Sequence, residues 1–210
     1  MLPLTQTVPK PLLPKFDDCL LKQQVAFMRA CVKNLHVTVG YMAGMVSQVA
    51  LQLGVDGVVD IGEGGNASWI TTSALGRIET PTLVITCDNL MEVSTQSLLE
   101  EAHAELGKSL IVGIEREDDF RGDRIHTIGS KISSMGPSVT SSVLASGLQV
   151  IVPQRILNRN QSVDDFSEVW RDLINHGELE LAQTRPNSWV AIDTPSDLET
   201  WIRTRKNPLD

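Results

Sequence analysis

The sequence has no apolar run of transmembrane length and no signal-peptide pattern at its start. This excludes a helical membrane span and makes a soluble cytoplasmic chain the expectation. It also has no excess of basic charge. Eighteen Lys and Arg stand against 26 Asp and Glu, for a net charge of −8 and a pI near 5.0. That balance argues against a nucleic-acid or anionic-membrane surface, while leaving room for a local basic pocket for phosphate. Cysteine is sparse. Cys19, Cys31 and Cys87 show no CxxC spacing, so neither a disulfide frame nor a zinc site is signalled. Their apolar surroundings suit buried thiols in a reducing compartment. No histidine sits in a catalytic motif: His36, His103, His126 and His176 fall within predicted strands or helices and read as structural or exposed. There is no internal repeat and no composition break that would mark a linker. The expectation is one domain over residues 1–205, followed by a short tail over 206–210.

What is present is concentrated first at the start. Leu2 to Pro14 holds four prolines in thirteen residues, with Lys10 fixed between Pro9 and Pro11. Proline locks φ and removes a backbone donor, so the stretch predicts a stiff, mostly extended loop that aims its lysine. A disordered tail is the other reading of so much proline. The interleaved Leu2, Leu4, Val8, Leu12 and Leu13 weigh against it, because disordered tails are poor in aliphatics.

The remainder alternates strand and helix. Helical spacing runs over Cys19–Lys33, with Asp17 or Asp18 placed to cap it. Buried strands are predicted at 36–40, 57–62, 82–87 and 109–114, and a hairpin at 124–133 turning on Gly129-Ser130. A long β run lies within 139–152, with Pro153 as its stop. Helices are predicted over 42–53, from Asn66 or Ser68 to Leu75, and over 94–106, 164–176 and 195–203. Short strands are predicted at 178–182 and 189–192. Glu115 to Asp123, with Glu117, Asp118 and Asp119, reads as a solvated charged loop. This alternation with short connections predicts an α/β fold with a mixed, mostly parallel sheet covered by helices on both faces.

Two aspartates carry candidate chemistry. Asp88 follows the most apolar strand, where open parallel sheets place ligands, and Asp193 follows the run Trp189–Ile192 just before the last helix. Each has a plain use as a helix or turn cap, and Thr194 is an alternative cap beside Asp193. Together they could converge on one divalent cation. Magnesium takes oxygen ligands, often one or two carboxylates plus substrate phosphates. With an aimed Lys10, the set points to charge neutralisation in phosphoryl or nucleotidyl transfer.

Val8-Pro9-Lys10-Pro11-Leu12-Leu13-Pro14, Leu83-Val84-Ile85-Thr86-Cys87-Asp88-Asn89 and Trp189 through Leu198 resemble three signature blocks of the sugar-phosphate nucleotidyltransferase superfamily, in the same order and at similar spacing. Val39-Gly40-Tyr41 and Gly64-Gly65-Asn66-Ala67-Ser68-Trp69 resemble weaker blocks between them. The resemblance covers nearly the whole chain. It implies a Rossmann-like fold of the GT-A type that binds a nucleoside triphosphate with Mg2+. It further implies that Lys10 contacts phosphate and that Asp88 and Asp193 hold the metal. Gly65 and Asn66 would lie near the nucleoside, Gly65 as a close-approach glycine. The implied reaction joins the nucleotide to a sugar 1-phosphate, or to a related acceptor such as phosphocholine, and releases pyrophosphate.

The chain departs from that pattern at its start. The first strand and the glycine-rich phosphate loop that precede this block in the family have no counterpart here, and the first glycine is Gly40. Three explanations are open: a start assigned at an internal methionine, a true truncation, or a strand supplied by another segment. The first is favoured because the metal-site blocks look intact. The expectation is little or no transferase activity and low stability for these 210 residues as they stand, with a non-catalytic nucleotide- or sugar-phosphate-binding domain as the alternative. A second departure lies at Gly129–Met135, which lacks the Glu-Lys-Pro-like acceptor block. Lys131 there reads as a hairpin lysine rather than a phosphate contact, and Ser146-Gly147-Leu148 resembles the acceptor-side strand only loosely.

Overall fold

The structure is a computed structural model, and it describes residues 1–15, 18–104, 108–116 and 120–203. Its strands and helices, in chain order, begin with β1 (Pro14–Lys15), β2 (Asp18–Cys19), α1 (Leu20–Arg29), β3 (His36–Val39), α2 (Ala43–Gln52) and β4 (Gly57–Asp60). Next come α3 (Trp69–Thr72), β5 (Thr82–Ile85), β6 (Asn89–Glu92), α4 (Thr95–Ala104), β7 (Ser109–Glu115), β8 (Arg124–Ile128) and β9 (Lys131–Gly136). The chain continues through β10 (Val143–Ile151), α5 (Pro153–Arg159), α6 (Phe166–Asn175), β11 (Leu179–Leu181), β12 (Ser188–Ala191) and α7 (Pro195–Arg203). Asp17, Glu117, Asp118, Asp119 and the 206–210 tail lie outside the described residues. No helix among the described residues is long and apolar enough to cross a membrane.

The chain divides into two compact units. The first is built from Met1–Glu63, Cys87–Glu92 and Ser188–Asp210, the second from Gly64–Thr86 and Val93–Asn187. In the first unit β3, α2 and β4 form a βαβ crossover with parallel strands in register from His36↔Gly57 to Val39↔Asp60. Gly54, at φ +75, ends α2 as predicted, in the left-handed conformation that a glycine adopts without a Cβ clash. β6 and β12 form an antiparallel ribbon, Asn89 opposite Ala191 and Glu92 opposite Ser188. Leu13, Leu20, Ile192, Leu198 and Trp201 make a buried cluster, with Met1, Leu90 and Ile202 packed against it.

The second unit carries a six-stranded mixed sheet in the order β5-β10-β7-β11-β9-β8. The β7–β11 pair is parallel and its other pairs are antiparallel. β10 is the long central strand. Its register against β7 shifts between Ala145 and Gln149, a bulge around Gly147, which sits at φ +83. Buried Gln149 is satisfied by the Trp170 indole N–H, which donates to its side-chain oxygen at 2.8 Å. The apolar stripe Phe166, Val169 and Leu173 buries α6 against β9 and β11.

Some expectations need correction, among them the Asp18 cap of α1, whose N-cap is Cys19 with no side-chain bond. Residues 2–14 are not mostly extended: they contain 3-10 turns at Leu4–Gln6 and Lys10–Leu12. A proline φ near −65° suits a first helical turn as well as an extended chain, and its missing N–H is not needed there. The helix predicted up to Leu75 breaks at Ser73, which is extended and whose hydroxyl accepts from Leu75 N–H, opening a 3-10 turn over Ala74–Arg77. A serine that bonds the local backbone competes with helix continuation in this way. Pro153 does end β10, but it also opens α5 from the first helical position.

Candidate functional site

Lys10, Asp88 and Asp193 come from three distant segments and meet in the first unit. The Lys10 ammonium lies 2.7 Å from Asp88 Oδ2 and 2.7 Å from Asp193 Oδ1, donating to both. The pairing of β6 with β12 brings the two aspartates together. Their ladder extends one step to Ile192 N–H donating to Asp88 O at 2.9 Å, so Asp88 and Asp193 stand at the same end of the ribbon. The lysine is delivered by the turn that closes with Leu12 N–H on Pro9 O and Leu13 N–H on Lys10 O. The buried cluster then anchors all three segments, because Leu13, Leu90 and Ile192 sit within three residues of Lys10, Asp88 and Asp193.

The Asp88 carboxylate and the backbone of Asp193 are also held by bonds that do not involve Lys10. Asp88 Oδ1 accepts from the Asn89 side-chain amide at 2.8 Å, and Asn89 O accepts from buried Gln24 Nε2. Asp193 N–H and Thr194 N–H both donate to Asp197 Oδ2, while Asp197 N–H donates to Thr194 Oγ1 at 3.2 Å. That reciprocal pair is a capping box on α7. Thr194 and Asp197 therefore do the capping, and Asp193 is released from the plain role open to it in the sequence. Asp88 is likewise no helix cap, because the next element is the strand β6.

The charges are partly open to water: side-chain exposure is 21% for Lys10, 25% for Asp88 and 48% for Asp193. Ion pairs this exposed contribute roughly 0–1 kcal/mol each to stability, so the fold gains little by converging them. Burial alone would push the Lys10 ammonium down, but the Asp88 and Asp193 carboxylates outweigh it and hold it above the usual lysine range. The adjacent Cys87 thiol is pushed up to about 12 by burial, with the Asp88 charge adding to the rise, so it is neutral at physiological pH.

The donor set suits a hard divalent cation. Two carboxylate oxygens from separate segments already converge on one positive centre, the ammonium, and oxygen donors are what magnesium selects. Among the described residues no group of three or more His, Cys, Asp or Glu could hold a metal ion, so the chain offers a pair of ligands there and not a closed cage.

Gly65 and Asn66 belong to the second unit. Gly65 N–H donates to Asp164 Oδ1 at 2.6 Å, and a Cβ on Gly65 would come within 2.5 Å of Asp164 O. Asn66 Oδ1 accepts from Phe166 N–H at 2.9 Å, and Ala67 N–H donates to Asp164 O. The close approach that requires glycine here is therefore to the chain's own backbone. Asp164, in the sequence only the first residue of a predicted helix, is the residue against which this loop is built. Lys131 opens β9 as an exposed hairpin residue.

No family model matches the chain, and no curated protein matches it in sequence. Solved structures do match it. A protein from Bacillus anthracis described as a glucose-1-phosphate thymidylyltransferase superposes with a TM-score of 0.78 at 16% identity, over 99% of this chain and 92% of that one. The inositol-1-phosphate CTP transferase of T. maritima gives 0.72 at 18% identity, over 97% and 91%. The CTP:phosphocholine cytidylyltransferase of Streptococcus pneumoniae gives 0.74 at 17%, over 98% and 93%. The chain thus has the mixed α/β, Rossmann-like fold of the sugar-phosphate nucleotidyltransferases.

Proposed function

We propose that this chain is a nucleotidyltransferase that moves a nucleoside monophosphate from an NTP to a sugar 1-phosphate, or to a similar phosphorylated acceptor such as phosphocholine. The observation that carries the reading is the Lys10 ammonium shared between Asp88 and Asp193 at 2.7 Å, with Thr194 and Asp197 taking the cap of α7 in place of Asp193. The fold shared with transferases of these classes supports it. An oxygen of the acceptor phosphate forms a bond to the α-phosphorus as the bond between that phosphorus and the α–β bridging oxygen breaks. Pyrophosphate departs with the electron pair. The acceptor is already an anion, so no side chain need remove a proton, in keeping with four histidines outside any motif.

Asp88 and Asp193 would hold Mg2+, which when bound supplies positive charge against the reacting phosphates. Lys10 binds phosphate oxygen and neutralises charge that develops there, and the proline-flanked turn keeps it aimed. A compartment with reduced thiols and abundant NTP, the cytoplasm, suits these three free cysteines.

The test is pyrophosphate release by the purified chain with each of the four NTPs, Mg2+ and a panel of sugar 1-phosphates and phosphocholine, alongside calorimetric binding of each NTP. The expected result is saturable binding of one NTP and metal-dependent release that Asp88→Ala abolishes. Binding of no NTP in the presence of Mg2+ would overturn the proposal. Binding without any release would favour a nucleotide-binding domain.

A further inference from the structure

Lys10 does more in this structure than point toward a phosphate. Its ammonium fills the one place on which Asp88 Oδ2 and Asp193 Oδ1 both converge. The segments that carry the carboxylates do not depend on it for position. Asp88 is fixed by the ladder to Ile192 and its carboxylate by the Asn89 amide, and the backbone of Asp193 is fixed by its N–H bond to Asp197 at the start of α7. The turn holds the backbone of Lys10, while its ammonium is a point charge on a four-carbon stem with rotatable bonds that can carry it to another partner nearby.

We propose that Lys10 is a tethered, displaceable counter-cation. It occupies the divalent-cation position between Asp88 and Asp193 in the unloaded protein, and it leaves that position for phosphate oxygens when the site is charged with metal and nucleotide. The proposal rests on the assignment of the aspartate pair as a cation site. A tethered charge competes at a high effective concentration, so the free protein binds a divalent cation weakly. A polyphosphate relieves that competition by giving the ammonium a new partner. Metal and nucleotide therefore load as a coupled pair, and the coupling is reciprocal. The ammonium also spares the two carboxylates from facing one point uncompensated.

The experiment is a Mn2+ titration of the full 210-residue chain without nucleotide, following the electron paramagnetic resonance of free Mn2+. Lys10→Met removes the ammonium and keeps an apolar stem; Lys10→Gln is the second neutral variant if the first fails to fold by circular dichroism. Lys10→Arg keeps the charge. Mn2+ binding is expected to tighten by about tenfold or more in the neutral variants, within the usual range of coupling, and to stay weak in Lys10→Arg. Neutral variants that bind Mn2+ no tighter than the parent chain overturn the proposal. Adding Asp88→Asn separates it from the reading beneath it. If Asp88→Asn abolishes Mn2+ binding while Lys10→Met leaves it unchanged, displacement is wrong and the cation site stands. If the Lys10→Met, Asp88→Asn double variant still binds tightly, or no variant binds Mn2+ at all, the aspartate pair is not the cation site and both ideas fall.

Discussion

Residues 8–14 and residues 64–68 are both short loops with conspicuous sequences, one rich in proline around a lysine, the other a Gly-Gly-Asn run. In the first, the polar atom leaves its own loop and reaches carboxylates 78 and 183 residues further along. In the second, the polar groups turn to residues 99 and 100 positions away and satisfy backbone and carboxylate atoms of one neighbouring loop. The first arrangement gathers partly exposed charge that contributes little to stability. The second satisfies donors and fills space, which is what stability rewards. An aimed charge without structural return marks a site better than an unusual loop sequence does.

The largest expected effect tests the first loop's partners. Asp88→Ala or Asp193→Ala should lower nucleotidyl transfer by at least about 10²-fold, read as pyrophosphate release, with little change in melting temperature. A large stability loss in either variant would make the pair structural and erase the contrast. The next effect concerns what anchors that pair. Trp201, 5% exposed beneath the site, should cost about 3–5 kcal/mol on Trp201→Ala, measured by urea unfolding.

The second loop should respond through stability. Gly65→Ala forces a Cβ toward Asp164 O and should cost about 1–3 kcal/mol, while Asn66→Ala loses one bond to Phe166 N–H and should cost about 1 kcal/mol. If both variants melt like the parent chain, the loop is not the clamp its hydrogen bonds describe. A smaller effect comes from Asp123 in the same unit. Burial, helped by the Asp165 charge, raises its carboxyl above the usual range, so the folded state prefers the protonated form and the ionised form is destabilising at neutral pH. Asp123→Asn should raise the melting temperature slightly at pH 7, and the gain should fade as pH falls toward the unfolded value of about 3.8. The smallest effect is chemical: with its thiol at about 12, Cys87 should resist alkylation at pH 8 until the chain is denatured, as peptide mass spectrometry would read.

Much of the fold was legible because burial leaves periodic traces. Thr82–Ile85, Ser109–Ile114 and the Phe166, Val169, Leu173 stripe announce strand and helix by spacing alone. Less legible were places where one residue type serves two geometries. Pro9 and Pro11 suit an extended chain or a 3-10 turn at nearly the same φ, and Ser73 breaks a helix through its hydroxyl. The candidate site was legible as three residues, not as an arrangement. The order of the chain offered both Asp193 and Thr194 as the cap, and only the bonds between Thr194 and Asp197 show which one takes it.

The amino-acid sequence by itself determined the alternation of strands and helices, the rigid placement of Lys10 between two prolines, and the lack of any histidine motif, because local sterics and apolar periodicity act over a few residues. Only the tertiary structure decided that Lys10, Asp88 and Asp193 share one point and that Gly65 and Asn66 spend their bonds on Asp164 and Phe166. Those outcomes depend on the register of β6 against β12 and on the packing of Leu13, Ile192 and Trp201. Register and packing are set by contacts between residues far apart in the chain, whose energies no local window contains.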